Sequence, residues 1–306
     1  HIMVCNIVSP PLYLRCREYI IIPVGGLTFF MNDYMVTWIN YFKESPMIES
    51  EECTIEQCDI FDFMAQHVGL SVLHPGGFEA TNELANRCDF DDSKKIIDIA
   101  CGKGTTSIYL AKRFGCKVIG IDFSERLIAE AKHLAKKSKV EYLVSFQVAE
   151  DLCLPLSEGD FDGAISQAML VLVDDKKMYI KDEKLVIKQG GMEGWVELRW
   201  KKEPTKEFLH KVSNEICAYC MANVEIYDVW RALFSEAGFK KVDVFQFPMD
   251  FQGMRGMLRD EGFSNLCKVL FRYVTHGRIR KRMTSLNHFF KAHPEYFGYG
   301  LYVCTK

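Results

Sequence analysis

Residues 95–104 read K-I-I-D-I-A-C-G-K-G. Ile96, Ile97 and Ile99 enclose one carboxylate, Asp98, and the chain then passes through Ala100, Gly102 and Gly104. A short apolar run bounded by glycines reads as a buried strand. Small residues make the following bend most readily, and they let another group approach the backbone closely. The stretch therefore reads as a strand end that forms one wall of a ligand site.

Outward from it, strands and helices alternate. A helix is predicted over 105–114, with Ile108, Leu110 and Ala111 toward a sheet. Residues 117–121 form a second strand, Ser124 caps a helix ending in the lysines near 136–139, and 144–148 form a third strand. Strands over 161–166, 192–200, 242–247 and 299–304 bring the number to seven, with a helix over 229–237 stopped at Gly238. Strand-helix-strand units at this spacing pair in parallel through right-handed crossovers. The fold class is α/β, an open, doubly wound sheet of seven strands. Ligands of such sheets lie beyond the carboxyl ends of the strands, where the quoted stretch ends.

The 306 residues are 48% hydrophobic and carry a formal charge of -3, which gives no global argument for nucleic acid or membrane partners. Twelve scattered cysteines, several inside apolar runs, read as buried thiols of a reducing compartment rather than a disulfide framework. The chain opens His1-Ile2-Met3, so residue 1 is read as an expression remnant, and Met31 is a second candidate start. The apolar stretch 19–31 contains Pro23, Gly25 and Gly26, too broken and short for a bilayer span, and is expected to be a packed or poorly ordered extension. Before the sheet, T-I-E-Q (54–57) is a capping-box pattern, with helices expected to about 67 and over 78–88 about a break at H-P-G-G (74–77).

The cofactor is read from ordered motifs. A dinucleotide fingerprint, G-x-G-x-x-G, is met at Gly102 and Gly104 but fails at Ser107, and it gives Asp98 no role. The set D-I-A-C-G-K-G (98–104), V-I-G-I-D (118–122), A-E-D-L-C-L-P-L (149–156), F-D (161–162) and K-Q-G-G (188–191) resembles the class I S-adenosylmethionine-dependent methyltransferases, over about residues 90–248. The resemblance implies a Rossmann-like core with S-adenosyl-L-methionine as cofactor. It implies that Asp98 organises the glycine turn, with Ala100 in the first glycine's place and Gly102 and Gly104 as close-approach positions. Asp122 would accept from the ribose hydroxyls and Phe123 would lie on the adenine. Glu150 would accept from the adenine amino group, with the amides of Asp151 and Leu152 toward the ring. Ser166 and Gln167 would lie beside the sulfonium.

The acceptor must be read from the flanks. His74 is a candidate base, and Gly76 and Gly77 would let its segment fold over the site. Glu197 and Trp200 would end the fifth strand at the site's edge. Cys217 and Cys220 are three apart in a stretch read as helical, which would put both thiols on one face toward a soft acceptor. Between the last two strands, Arg255 and Arg259 could clamp an anion, and Met254, Met257, Phe263 and Leu266 suit an apolar lid. The basic run 277–283 reads first as a solvated face, with nucleic acid or an anionic membrane as alternatives.

The expected organisation is an N-terminal extension (1–53), a helical cap (54–93), the cofactor-binding core (94–248) and a helical lid with the final strand (249–306). The expected activity is methyl transfer to a small-molecule acceptor, with a thiol or arsenite as the sharper expectation. An RNA methyltransferase and a non-catalytic S-adenosylmethionine-binding protein are the alternatives. No nucleic-acid module, resident metal site or transmembrane segment is expected, the location is read as cytoplasmic, and the oligomeric state is left open.

Overall fold

The computed structural model describes residues 19–24, 27–32, 55, 58–149, 158–249 and 254–306. The chain forms two compact units, His1–Glu51 and Glu52–Lys306. In the first, β1 (Tyr19–Val24) pairs antiparallel with β2 (Leu27–Asn32), Val24 opposite Leu27. The sequence reading does not assign these strands. The sequence signal was present, because Gly25-Gly26 between two β-rich runs is a two-residue hairpin composition.

The second unit is built on one sheet. Its strands are β3 (Lys95–Ile99), β4 (Lys117–Asp122), β5 (Val144–Val148), β6 (Phe161–Gln167), β7 (Ile187–Trp200), β9 (Lys241–Pro248) and β10 (Phe297–Thr305). Their order is β5-β4-β3-β6-β7-β10-β9, with the two-residue β8 (Glu225–Ile226) added beside the end of β7. Strands β3 to β7 run parallel, and β10 enters antiparallel between β7 and β9. The order reverses at β3, whose neighbours are β4 and β6, so the switch point falls at the stretch quoted above. The stretch K-Q-G-G lies inside β7 as an irregularity. Phe161 pairs with Ile187 and Gly163 with Met192, and the extra residues are taken up around Gly190, at φ 76.

Helices α2 (Gly77–Arg87), α3 (Thr105–Phe114), α4 (Glu125–Lys137), α5 (Lys176–Leu185) and α7 (Tyr227–Glu236) accompany the strands. Each buries one stripe; α3, for example, turns Ile108, Leu110 and Ala111 inward and stops at Gly115, at φ 75. The helix expected from Thr54 begins later. Its first turn, α1 (Ile60–Asp62), continues as a π-helical turn over Phe63–Val68, and the Asp59 carboxylate caps it by accepting from the Phe61 amide.

The remaining helices are α6 (Lys206–Ile216), α8 (Met254–Thr275) and α9 (Gly277–Ala292). They form a second hydrophobic core with the far end of β7. Phe63, Val68, Leu198, Trp200, Phe208, Val212, Leu286, Phe289 and Phe297 pack together there. Both sequence flanks thus build one body over the carboxyl end of the sheet. Among the described residues no helix is long and apolar enough to cross a membrane.

Candidate functional site

The turn after β3 is held from both sides. The Asp98 side chain is 3% exposed, and the Ser107 hydroxyl, one turn into α3, donates to it at 2.5 Å. Burial pushes the Asp98 carboxyl up to about 7, against the lowering effect of the Ser107 hydrogen bonds. On the other side the Gly102 amide donates to Asp122 Oδ2 at 2.8 Å, while Asp122 Oδ1 accepts from the Ser124 amide at 3.0 Å. Asp122 therefore ties the glycine turn to the end of β4 and starts α4. Burial raises its carboxyl as well.

The three small residues have different reasons to be small. Ala100 takes the left-handed conformation at φ 57, tolerable for alanine and easier for the glycine of the resembling motif. Gly104, at φ 71, lies against the core: a Cβ there would come within 2.4 Å of Phe146 and 2.9 Å of Ala131. Gly104 thus has a packing reason to lack a side chain, apart from any ligand. Gly102, at φ 53, is the half-buried lip of the turn, and a Cβ built on it meets no atom within 4 Å. The cradle that small side chains leave open is at Gly102. Phe123, beside Asp122, is half exposed at this same edge. Glu150, Asp151 and Leu152 lie outside the described residues.

Beside the turn, the end of β6 carries a chain of hydrogen bonds. Thr106 Oγ1 donates to Gln167 Oε1 at 2.8 Å, and Gln167 Nε2 donates to Thr81 Oγ1 at 3.0 Å. The Thr81 hydroxyl meets His74 Nε2 at 3.2 Å, and His74 Nδ1 lies 3.3 Å from the Pro75 carbonyl. The carbonyl can only accept, so Nδ1 carries the proton and Nε2 accepts from Thr81. Burial lowers the His74 pKa to about 4, so the ring is neutral at pH 7. His74 and Gln167, singled out by sequence, are thus joined through Thr81, which sequence reasoning missed.

Glu197 is a further support that sequence misplaced. It is fully buried rather than at an open edge, and it accepts from the Met169 and Leu170 amides at 3.1 and 3.0 Å. These amides follow the left-handed Ala168 (φ 57), where the chain leaves β6 just after Gln167. Burial raises the Glu197 carboxyl to about 8. On the same face of β7, Glu193 lies against Glu183 of α5, both fully buried. Among the described residues no amide or guanidinium donates to either; burial raises both carboxyls, and the Glu193 charge adds to the rise at Glu183. Trp200 is a core residue packed on Phe297.

The flanks close over the turn. Thr105 Oγ1, just after Gly104, donates to the Ser71 carbonyl at 3.0 Å. The Ser71 and Val72 amides donate to the Glu261 carboxylate of α8, and the Phe78 amide donates to Asp260. Gly76 and Gly77 both take positive φ in this covering segment. Arg259 does not form an open anion clamp: its guanidinium donates to Glu79 at 2.7 Å and to Asp260 at 2.8 Å. The apolar lid is also partly corrected, since Leu266 is buried but Met254 and Phe263 are 57% and 76% exposed.

The cysteine pair does not share a helix face. Helix α6 ends at Ile216, Cys217 is its left-handed cap (φ 48), and Cys220 follows in a separate 3-10 turn. Cys220 is packed with Cys58, Val212 and Met221, and burial raises its thiol well above the usual range. Cys101, under the glycine turn, is likewise buried, with its thiol pushed up.

Comparison with known proteins agrees with this geometry. Residues 96–191 match a family described as a methyltransferase domain. An uncharacterized protein of Haemophilus influenzae is 31% identical over 215 residues, covering 68% of this chain and 83% of that one. Phosphoethanolamine N-methyltransferase 1 of Arabidopsis thaliana is 26% identical over 57% of this chain, which spans only 34% of that relative. The S-adenosyl-L-homocysteine complex of a methyltransferase from Thiobacillus denitrificans has the same fold, with TM-score 0.59 and 19% identity over 81% of this chain and 99% of that one.

Proposed function

Because the chain belongs to the class I S-adenosylmethionine-dependent methyltransferases, we propose that it methylates a small-molecule acceptor held at the end of β6. The observation that carries this reading is the Gly102 turn. It is pinned between Asp98 and Asp122, open on its outer side, and one strand away from the Gln167 chain.

The residues present fit the cofactor. In this reading Asp98 faces its amino group, Gly102 lets its methionine part approach, Asp122 faces the ribose and Phe123 the adenine. S-adenosylmethionine supplies a methyl group on a sulfonium, open to in-line displacement. The protein's share is positioning and exclusion of water. Thr81 and Thr106 fix the Gln167 amide from both ends, and Glu197 fixes the backbone that follows it. His74 acts through Thr81 as a positioning residue; neutral, with its free lone pair already accepting, it is not poised as a base. The segment 69–78, tied to α8, covers the turn.

The relatives' names bring amine and hydroxyl acceptors to the front, since phosphoethanolamine and tocopherol methyltransferases are among them. A thiol or arsenite acceptor finds no support in the cysteines, because Cys220 and Cys101 are buried as thiols. A cytoplasmic setting fits buried thiols of this kind. The test is transfer of labelled methyl from S-adenosylmethionine to a panel of small amines, alcohols, phenols and thiols, with an RNA oligonucleotide alongside. Labelling of one small-molecule class supports the reading. Labelling of RNA alone, or cofactor binding without transfer to any acceptor, would overturn it.

A further inference from the structure

The second half of α8, after the break at Gly262 (φ 68, ψ 167), is apolar on both sides. Val269 packs into the second core, and Leu266 is buried as well. At 100° per residue, Phe263, Cys267, Leu270, Phe271 and Val274 fall within one sector of about 100°, centred about 120° around the helix from the buried pair. That side is open: Phe263 is 76% exposed, Val274 68%, Phe271 65% and Leu270 37%. An ordinary surface helix carries charge there. Two phenylalanines, a leucine and a valine together make an apolar patch of the kind that marks an interaction surface.

The charge around this face is as unusual as its apolarity. Residues 262–294 contain seven lysines and arginines and no aspartate or glutamate, in a chain whose formal charge is -3. Lys268 of α8 and Lys281 at the start of α9 are both exposed. Like-charged faces oppose pairing of two copies through this surface. RNA would account for the cations but not for Leu270 and Val274. A bilayer containing anionic lipids accounts for both, because acyl chains take up the apolar sector while headgroup phosphates attract the flanking lysines.

We propose that the outer face of α8, with the start of α9, docks this chain on an anionic membrane surface. The contact is peripheral, since α8 is not apolar enough to cross a bilayer. The same half-helix also touches the covering segment, where Asn265 Nδ2 donates to the Gly69 carbonyl at 2.9 Å.

The experiment is co-sedimentation of the full chain with vesicles of phosphatidylcholine alone and of phosphatidylcholine with phosphatidylserine. It is repeated for Phe263→Ser/Phe271→Ser and for Lys268→Glu/Lys281→Glu. All these positions are exposed, and an unchanged melting temperature checks the fold. The expected result is binding to the anionic vesicles only, weakened about tenfold or more in each double variant. Absence of binding to anionic vesicles would overturn the proposal. So would vesicle binding untouched by the phenylalanine changes, or a dimer dissolved by them in a chain that ignores vesicles. Binding of an RNA oligonucleotide in place of vesicles would overturn it too.

Discussion

The Gly102 amide donates a 2.8 Å hydrogen bond to the Asp122 carboxylate, twenty residues further along the chain. One side chain thereby fixes the turn after β3, the end of β4 and, through Ser124, the start of α4. The two strands on which a nucleotide would rest are locked into one wall before any ligand arrives.

The glycines of this wall should respond differently to the same change. Gly104→Ala should destabilise the protein by about 2–4 kcal/mol, since its Cβ would meet the Phe146 ring and Ala131 on top of a left-handed φ. Gly102→Ala should cost only about 1 kcal/mol, for φ alone, yet weaken S-adenosylmethionine binding about tenfold or more. Chemical denaturation and calorimetry separate the two effects. Equal stability losses would contradict the division of roles.

The Gln167 chain predicts a split in kinetics. Thr81→Val should lower kcat about tenfold with cofactor affinity unchanged, because it releases one end of the Gln167 amide. His74→Asn should leave the pH profile of kcat between pH 6 and 9 in place, as the ring does not titrate there. Loss of an acidic limb in that variant would restore His74 as a base.

Stability should fall as the pH rises from about 4.5 to about 8. Glu197, Glu183 and Glu193 have folded pKa values raised by burial, so the folded state holds protons that the unfolded chain has released. Their contribution is complete below the unfolded glutamate pKa and lost as the pH passes the folded values. His74 opposes this below about pH 6.5, since its folded pKa is depressed to about 4. With three such carboxyls set against one histidine, melting scans should fall across this range. Glu193→Gln should gain about 1–3 kcal/mol at pH 9 and little at pH 5. A wild-type melting temperature that keeps climbing to pH 9 would contradict the buried acids.

Cys217→Ser and Cys220→Ser should both keep transfer activity, with Cys220→Ser losing about 1–2 kcal/mol of stability for a hydroxyl placed in the second core. Loss of activity in a folded Cys217→Ser protein would reinstate the thiol reading.

What was legible in the sequence was local. The strand 95–99, its glycine turn, Ser124 as a cap and the helix Thr105–Phe114 were each specified by neighbouring residues. Asp98 and Asp122 could be placed at strand ends because a family motif has fixed spacing. Thr81, Thr106 and Glu197 were not legible as supports, since each meets its partner across 27 to 86 residues of chain. The packing reason for Gly104 was not legible, because the sequence does not say that Phe146 lies beneath it. The cysteine pair was misread because nothing local announces that a helix stops at Ile216 with a non-glycine residue at positive φ. Phe263 was drawn into a lid by its neighbours' apolarity, although only Leu266 and Val269 of that half-helix turn inward.

The central claim is that S-adenosylmethionine rests against the Gly102–Asp122 wall. Isothermal titration of the cofactor into the wild-type chain and into Asp122→Ala, each checked for an intact fold by circular dichroism, tests it most directly. The account predicts one site in the wild type and at least about a tenfold loss of affinity in the variant, for a charge-assisted contact removed. No binding to the folded wild type, or unchanged affinity in Asp122→Ala, would contradict it.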